Sequence, residues 1–551
     1  MAGRGGGAAP PDAAGPGGAG RPSAAGPGGA GPPDATGPGG GGRRPGVVRA
    51  GLLSMVALVA LGATRLVHGS LVSRATDTET YGLVGSLIAL TTIASLLLPA
   101  GVASAASRFI PFAQGQGEPA QARGVHRFLS RIGLPGALAL GLGAGLGAAL
   151  AFPLDAGQVA EVVALAVAFS VYSVDKATLY GFGRVGPYVR LELASSALIL
   201  LATGVVLATG AGTYLLPLAL GYAAFALGAR WVLRADLRGD RAPARSLDRR
   251  EVLRYVALAC VGTLASQGFL QGTQLLANAF AAPAEVGYFA AAVTLVAPMY
   301  FLPRALGLAL FPAMSRAHGA GDVAEVRRQA DVSTRALLLV LAPFFAAGIL
   351  LAREALTLFG SARYAPGAPV LQLMLAATFC AVVAVAAVNS LSSGRHVHVP
   401  VSSAVAGCLT GLATVALVGR PLGAAGVGLG YLAGTTVTAG GPVTVAWRLY
   451  RMRWRGPVLR ALGCVLAALV AGAVLARLDL TATARTWLDV AAALVAAGAG
   501  GALAGGPLRA VLRDARRPGG NPAAQPAPAA PAAAAEPAGA AARRTEKNVT
   551  E

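Results

Sequence analysis

Apolar residues in this chain fall in blocks of about 20, and short basic segments separate them. A block of that length crosses the roughly 30 Å hydrocarbon core of a bilayer at about 1.5 Å of helix rise per residue. The pattern predicts membrane helices at about 51–73, 82–103, 132–153, 159–181, 191–209, 213–233, 253–278, 286–312, 335–359, 367–391, 400–418, 423–446, 457–476 and 486–506, fourteen in all. The fold expected is therefore all-α and polytopic.

The blocks carry an echo. Tyr81-Gly82 opens an apolar run, Pro99 follows, Gly115 and Gly117 lie in a polar segment, and Ser130-Arg131 closes it. About 204 residues later, Val286-Gly287, Pro303, Gly319 with Gly321, and Thr334-Arg335 repeat that punctuation. Gly183-Arg184 and Gly394-Arg395 form a second pair about 211 apart. A long-period echo with different intervening letters predicts two similar halves. The expected organisation is a Gly/Pro-rich tail at 1–46, six-helix bundles at 47–250 and 251–450, two further helices at 451–506 and a second tail at 507–551. Both tails are too poor in large apolar residues to build a core and are expected to be disordered and cytoplasmic.

Charge refines this picture. The formal net charge is +21, which in a soluble protein would suggest nucleic acid. Only 13% of residues are charged and the mean hydropathy is +0.62, so the charge is read as a topology signal and no nucleic-acid partner is expected. One alternate set of loops holds Arg108, Arg123, Arg127 and Arg131, then Arg184 and Arg190, the run Arg234 to Arg254, Arg316 to Arg335, Arg395, Arg448 to Arg455 and Arg509 to Arg517. The other set holds little beyond Arg74, Arg363, Arg420, Arg477 and Arg485. An even span count with both termini cytoplasmic keeps this asymmetry. Cys260, Cys380, Cys408 and Cys464 all lie within apolar blocks and read as small buried hydrophobes.

No metal-ligand cluster, phosphate-binding GK[ST] loop or Ser/His/Asp arrangement is present in the sequence, so neither a metal site, nor ATP-driven transport, nor an enzyme is expected. Polar residues at membrane depth carry the candidate chemistry. Gln267, Gln271, Gln274 and Asn278 recur at i, i+4, i+7 and i+11 on the seventh predicted span, which puts four amides on one helix face. They serve either as interhelical hydrogen-bonding groups or as the wall of a wet cavity that meets sugar hydroxyls. Arg65 in the first span, with His68 one turn on, and Arg304 in the eighth are candidate phosphate ligands; snorkelling to an interface is the alternative for each. Asp175 and Lys176 are adjacent, so they point to separate partners, and Asp175 is a candidate for carrying a coupling proton. Gly141, Gly143, Gly145 and Gly147 make two overlapping GxxxG patterns suited to close helix contact.

Ser73-Arg74-Ala75 with Glu79-Thr80-Tyr81-Gly82, Leu179 to Arg184 reading L-Y-G-F-G-R, and Phe359-Gly360 through Tyr364-Ala365 to Val370-Leu371 resemble motifs of the multidrug/oligosaccharidyl-lipid/polysaccharide exporter superfamily. The chain is most similar in this respect to bacterial flippases for polysaccharide precursors and lipid-linked oligosaccharides. The resemblance covers about residues 47–506. It implies two six-helix bundles around a central cavity, with alternating access carrying a lipid-linked glycan outward across the cytoplasmic membrane of a bacterium. It implies no cofactor beyond a coupling H+ or Na+, and glycosyltransferases or a polymerase of the same pathway as partners, besides membrane lipids. Arginines on spans 1 and 8 are similar to those of lipid II flippases, but Leu66 follows Arg65 with no acid beside it, which favours a glycan other than a peptidoglycan precursor. A cation-coupled multidrug exporter of the same superfamily and a non-transporting scaffold for glycan assembly are the alternatives.

Overall fold

The computed structural model describes residues 47–238, 248–300, 307, 310, 314–315, 317–318, 320–394, 396, 398–452, 454–478, 481 and 483–498. The two tails, and Arg304 with them, lie outside the described residues.

The chain folds as a polytopic helical membrane protein. Its first half comprises α1 (Val47–Ala75), α2 (Thr78–Leu97), α3 (Pro99–Gly115), α4 (Pro119–Ala151), α5 (Ala156–Gly181), α6 (Val185–Thr209) and α7 (Leu216–Leu237). The second half begins with α8 (Arg249–Thr263), a π turn at Leu264–Gly268 and α9 (Phe269–Phe280). It continues through α10 (Pro283–Val296) with the 3-10 turn Ala297–Tyr300, then α11 (Val323–Leu350), α12 (Ala352–Phe359), α13 (Ala368–Val383), α14 (Val385–Ser392), α15 (His398–Leu449) and α16 (Arg455–Arg477). Residues 483–498 are also helical. Among the described residues, ten stretches are long and apolar enough to cross a membrane by length and composition. One of them, α15, breaks at Gly423, where φ is 55°. Its arms then run antiparallel, since a Cβ on Gly430 would meet the carbonyl of Gly411 at 2.9 Å and one on Gly434 that of Gly407 at 2.6 Å. All fourteen predicted blocks thus coincide with helix among the described residues.

Two differences from the sequence expectation appear at the arginine-rich end. The second block does not stop near 103: α3 carries it to Gly115, and α4 starts at Pro119, well before the block at 132. Both extensions are amphipathic and bury Ala105, Ala106, Ile110 and Ala113 against Ala122, Val125 and Leu129. The polar segment is thereby reduced to a tight turn through Gly117.

That turn reveals what the echo encodes. Gly117 has φ 74° and Gly321 has φ 73°. Gly117 N bonds Gln114 O and Glu118 N bonds Ala113 O, while Gly321 N bonds His318 O and Asp322 N bonds Ala317 O, at 2.8–3.0 Å. These are paired closures of one type of left-handed helix stop, a conformation glycine adopts without steric cost. Gly183 at φ 71° uses the same pattern, bonding Tyr180 O, with Arg184 N on Leu179 O.

The other echoed glycines meet each other. A Cβ on Gly82 of α2 would lie 2.7 Å from the backbone N of Gly287 on α10, and one on Gly287 would run into the carbonyl of Thr78. The halves therefore cross backbone to backbone, the contact small residues permit in lipid. At the arginine-poor end of this seam each half caps the other. Arg74 donates from Nε to Phe359 O at 3.1 Å and from Nη2 to Leu358 O, and Ser70 donates to Phe359 O at 2.6 Å. Arg363 returns bonds to Thr76 O at 2.8 Å and Arg74 O at 3.4 Å. Tyr81 stands edge-on to Phe359 and Tyr364, each at 5.9 Å, and its hydroxyl meets Thr294 at 3.1 Å. Asp77 caps α2 by accepting from Thr80 N at 2.7 Å, a bond that holds its carboxylate below the usual range.

Outward, α4 shows Leu134, Leu138, Leu142, Leu146 and Leu150 at four-residue spacing, all exposed and matched to acyl chains. Of the overlapping glycine pairs, Gly141 and Gly145 face Val167 and Val163 of α5, whereas Gly143 and Gly147 have nothing within 4 Å. Only one register of the pattern is a packing surface. Gly287→Leu is expected to abolish accumulation of folded protein in the membrane, while Gly143→Leu accumulates as wild type; fluorescence-detection size exclusion of tagged variants separates the two.

Candidate functional site

Charged groups converge inside the first half. Arg65, on α1, sends Nε to the Tyr222 hydroxyl of α7 at 2.8 Å. Its guanidinium lies over the rings of Phe169 on α5, at 5.0 Å, and Tyr222, at 5.6 Å. It is thus held inward by a hydrogen bond and two aromatic faces and does not snorkel. Among the described residues its terminal nitrogens, Nη1 and Nη2, have no hydrogen-bond partner, and the side chain is only part-buried.

One shell further in, Glu192 of α6 is fully buried. The Tyr172 hydroxyl lies 3.0 Å from both carboxylate oxygens, and Lys176 reaches that hydroxyl at 3.2 Å. Lys176 also lies over the rings of Tyr172 and Tyr188, at 5.4 and 5.3 Å. Lys176 and Arg65 are the cations whose charge acts on Glu192. An uncompensated buried carboxylate costs several kcal/mol, roughly, so this enclosure is what makes Glu192 tolerable.

His68, one turn from Arg65, places Nδ1 2.8 Å from Thr203 Oγ1, whose own proton goes to Ile199 O at 2.7 Å. Nδ1 is then the donor, and in the neutral ring Nε2 is a bare acceptor; it is buried, with no partner among the described residues. A donating hydroxyl or water is the group this nitrogen can take.

The remaining sequence candidates are placed as follows. Asp175 pairs with Arg230 Nε at 3.1 Å and Lys176 with Tyr172, so the neighbours do have separate partners. Asp175 thus meets a half-exposed arginine of α7. The amide row is divided. Gln274 is buried and donates to Ser86 on α2 at 3.3 Å, and Asn278 donates to the same hydroxyl at 2.8 Å. These two bind the halves together across the seam. Gln267 lies in the π turn and is exposed, and Gln271 is half-buried. Glu192, Tyr172, Phe169 and Tyr222 were not anticipated. Glu192 was visible as an acid within an apolar stretch, but it sits at the edge of its block, where an interfacial position also fits. No group of three or more potential metal ligands occurs among the described residues.

The sequence signature of a family described as polysaccharide biosynthesis protein matches residues 71–369, more than half of the chain. No curated protein sequence matches it. Among the solved structures that share its fold are the following three. One is a multidrug-resistance MATE family transporter of the MOP superfamily in an inward-facing conformation, at 15% identity and a TM-score of 0.59, covering 73% of this chain and 98% of that one. Another is the lipid II flippase MurJ in an inward closed conformation, at 13% identity and a TM-score of 0.57, covering 83% and 99%. The third is a MOP superfamily transporter from Pyrococcus furiosus, at 16% identity and a TM-score of 0.54, covering 74% and 95%, for which a reversed polarity of the binding pocket is described as suggesting a different function.

Tyr172→Phe removes the hydroxyl shared by Glu192 and Lys176 and is expected to cost about 1.5–3 kcal/mol, the range for hydrogen bonds to charged groups. Ser86→Ala is expected to cost about 1 kcal/mol across the seam. Reversible unfolding in mixed micelles reads both against Thr209→Val, whose exposed hydroxyl should matter little.

Proposed function

Because the chain belongs to the polysaccharide biosynthesis protein family and has the fold of MOP superfamily transporters, we propose that it moves a lipid-linked oligosaccharide or polysaccharide precursor from the cytoplasmic to the outer leaflet of a bacterial cytoplasmic membrane by alternating access. The observation that carries this reading is Arg65. Its Nε is fixed by the Tyr222 hydroxyl and its guanidinium lies over the neighbouring rings of Phe169 and Tyr222, while among the described residues its terminal nitrogens have no hydrogen-bond partner and are proposed to meet a ligand. A guanidinium in that posture suits the phosphate oxygens of a lipid carrier, whose charge cannot cross hydrocarbon unaided. Arg304 is the proposed second cation. Gln267 and Gln271 are proposed to line the sugar path, and His68 Nε2 to accept from a hydroxyl or an ordered water. Gln274 and Asn278 serve the seam, so their part in substrate binding reduces to positioning α9 against α2.

A drug exporter selecting cations would need an acid open to its substrate. Glu192 is enclosed and Asp175 is paired, so these two acids favour the glycan reading. Coupling to H+ or Na+ and contact with glycosyltransferases or a polymerase belong to the same proposal. So does the placement of both termini in the cytoplasm, which puts the Arg74–Arg363 exchange at the outer face. Outward opening must break that exchange.

Arg65→Ala is expected to abolish surface glycan while the protein still accumulates in the membrane, and Arg65→Lys to restore little, since an ammonium cannot make the fork-shaped contact. Wild-type glycan in an Arg65→Ala strain would refute the anion assignment. Arg74→Ala with Arg363→Ala should favour opening at the outer face. In a background lacking the four native cysteines, a Ser73→Cys thiol should then react several-fold faster with an impermeant maleimide than it does with both arginines present; an unchanged rate would remove these residues from the gate.

A further inference from the structure

A second basic site lies on the arginine-rich face, away from Arg65. A cavity of about 300 Å³ is lined by Ala324, Arg327, Arg328, Asp331 and Arg335 of α11, with Met452 closing it. The α11 residues recur at helical spacing, so one face of two turns presents three guanidiniums and one carboxylate. Across the cavity, Arg451 and Trp454, between α15 and α16, are held in place. Trp454 is fully buried and donates from Nε1 to Asp331 at 2.8 Å. Arg451 adopts φ 50°, and its carbonyl accepts from Arg327 Nη2 at 3.3 Å. Asp331 also holds Arg335, at 3.0 Å, and Glu325 holds Arg328, at 2.6 Å.

The donors of Arg327 and Arg335 exceed these partners. Each guanidinium carries five N–H groups, and among the described residues Arg327 spends one, on the Arg451 carbonyl. Arg335 immediately precedes the apolar run from Ala336 to Leu350, and Arg327 and Arg328 lie two turns further out, about 10–12 Å along the axis, so the cavity runs from the hydrocarbon border outward through headgroup level. Met452 gives the pocket an apolar wall on its other side.

We propose that this pocket binds the phosphate group of an anionic phospholipid from the arginine-rich leaflet, and that the lipid joins α11 to the connection leading into α16. Basic pockets at span ends draw their affinity from clustered guanidiniums facing an anionic headgroup. The site does not depend on which substrate Arg65 handles.

Native mass spectrometry of the purified full chain, titrated with phosphatidylglycerol or phosphatidylcholine, tests this. The wild type should retain one phosphatidylglycerol in preference to phosphatidylcholine. The variant Arg327→Gln/Arg335→Gln should bind it about tenfold or more weakly. Met452→Trp, which puts a bulkier side chain into the cavity and keeps every charge, should weaken binding too. Arg127→Gln/Arg131→Gln removes the same charge from an exposed part of the other half and should bind as wild type. Equal retention of the two lipids overturns the proposal. So does unchanged phosphatidylglycerol binding in Met452→Trp, which would mean diffuse surface charge. Competition by inorganic phosphate at millimolar concentration would identify a free-phosphate site and overturn the lipid assignment.

Discussion

The molecule depends on a crossing from which side chains have been removed. Helices in lipid gain nothing from hiding apolar surface from one another, because the acyl chains are equally apolar. Association then rests on close backbone approach and on hydrogen bonds. Gly82 and Gly287 provide the first, with Gly85 against Ala290 one turn further along. Ser86 provides the second, by accepting from Gln274 and Asn278. All of these lie on α2, α9 and α10, so one seam carries both kinds of attraction. Tyr81 and the Arg74–Arg363 exchange lie at its end, where the crossing brings the two halves close enough for each arginine to reach the other's carbonyls.

The crossing also explains why the repeat is a repeat. Gly82 and Gly287 are equivalent positions of the two halves, 205 residues apart, and each is the other's contact. A pseudo-twofold relation makes that self-pairing natural, as in isologous contacts of symmetric assemblies. The glycine stops at 117 and 321 follow the same relation far from the seam. The interiors do not. The first half encloses Arg65, Lys176 and Glu192, whereas the described interior of the second offers the Tyr300–Tyr431 hydroxyl pair at 2.6 Å. A duplicated shell here surrounds unlike chemistry.

Much of the shell was legible because its cause is local. Block length against bilayer thickness locates spans, and arginine counts order the ends, with no knowledge of partners. The helical extensions past residue 103 and before residue 132 were missed because they obey amphipathic rules, not membrane ones. The choice between Gly141/Gly145 and Gly143/Gly147 was illegible, since both satisfy the spacing and only the position of α5 decides. The candidate site was legible in its charges and not in their fates. Arg65 reads equally as a snorkelling or a functional cation until Tyr222, 157 residues on, fixes its Nε. The amides read equally as cavity wall or as bonding groups until Ser86, 188 residues before Gln274, accepts from it.

The arithmetic of charge in the first half finally bears on what Arg65 is for. Glu192 is fully enclosed by Tyr172 and offset by Lys176 as well as by Arg65. If Lys176 is assigned to the carboxylate, the guanidinium of Arg65 remains as an unmatched cation at membrane depth. An arrangement meant only for stability would place the acid against Arg65 and close the pair, because an uncompensated ion at such depth is costly. The aromatic faces of Phe169 and Tyr222 lessen that cost without cancelling the charge. A cation kept partly paid down, rigid and open at its fork gains most from an anion that arrives with its own hydrocarbon tail in the bilayer. That balance separates the proposed ligand-binding role of Arg65 from a purely structural one, and it is the physical basis for the proposal that this half takes the phosphate.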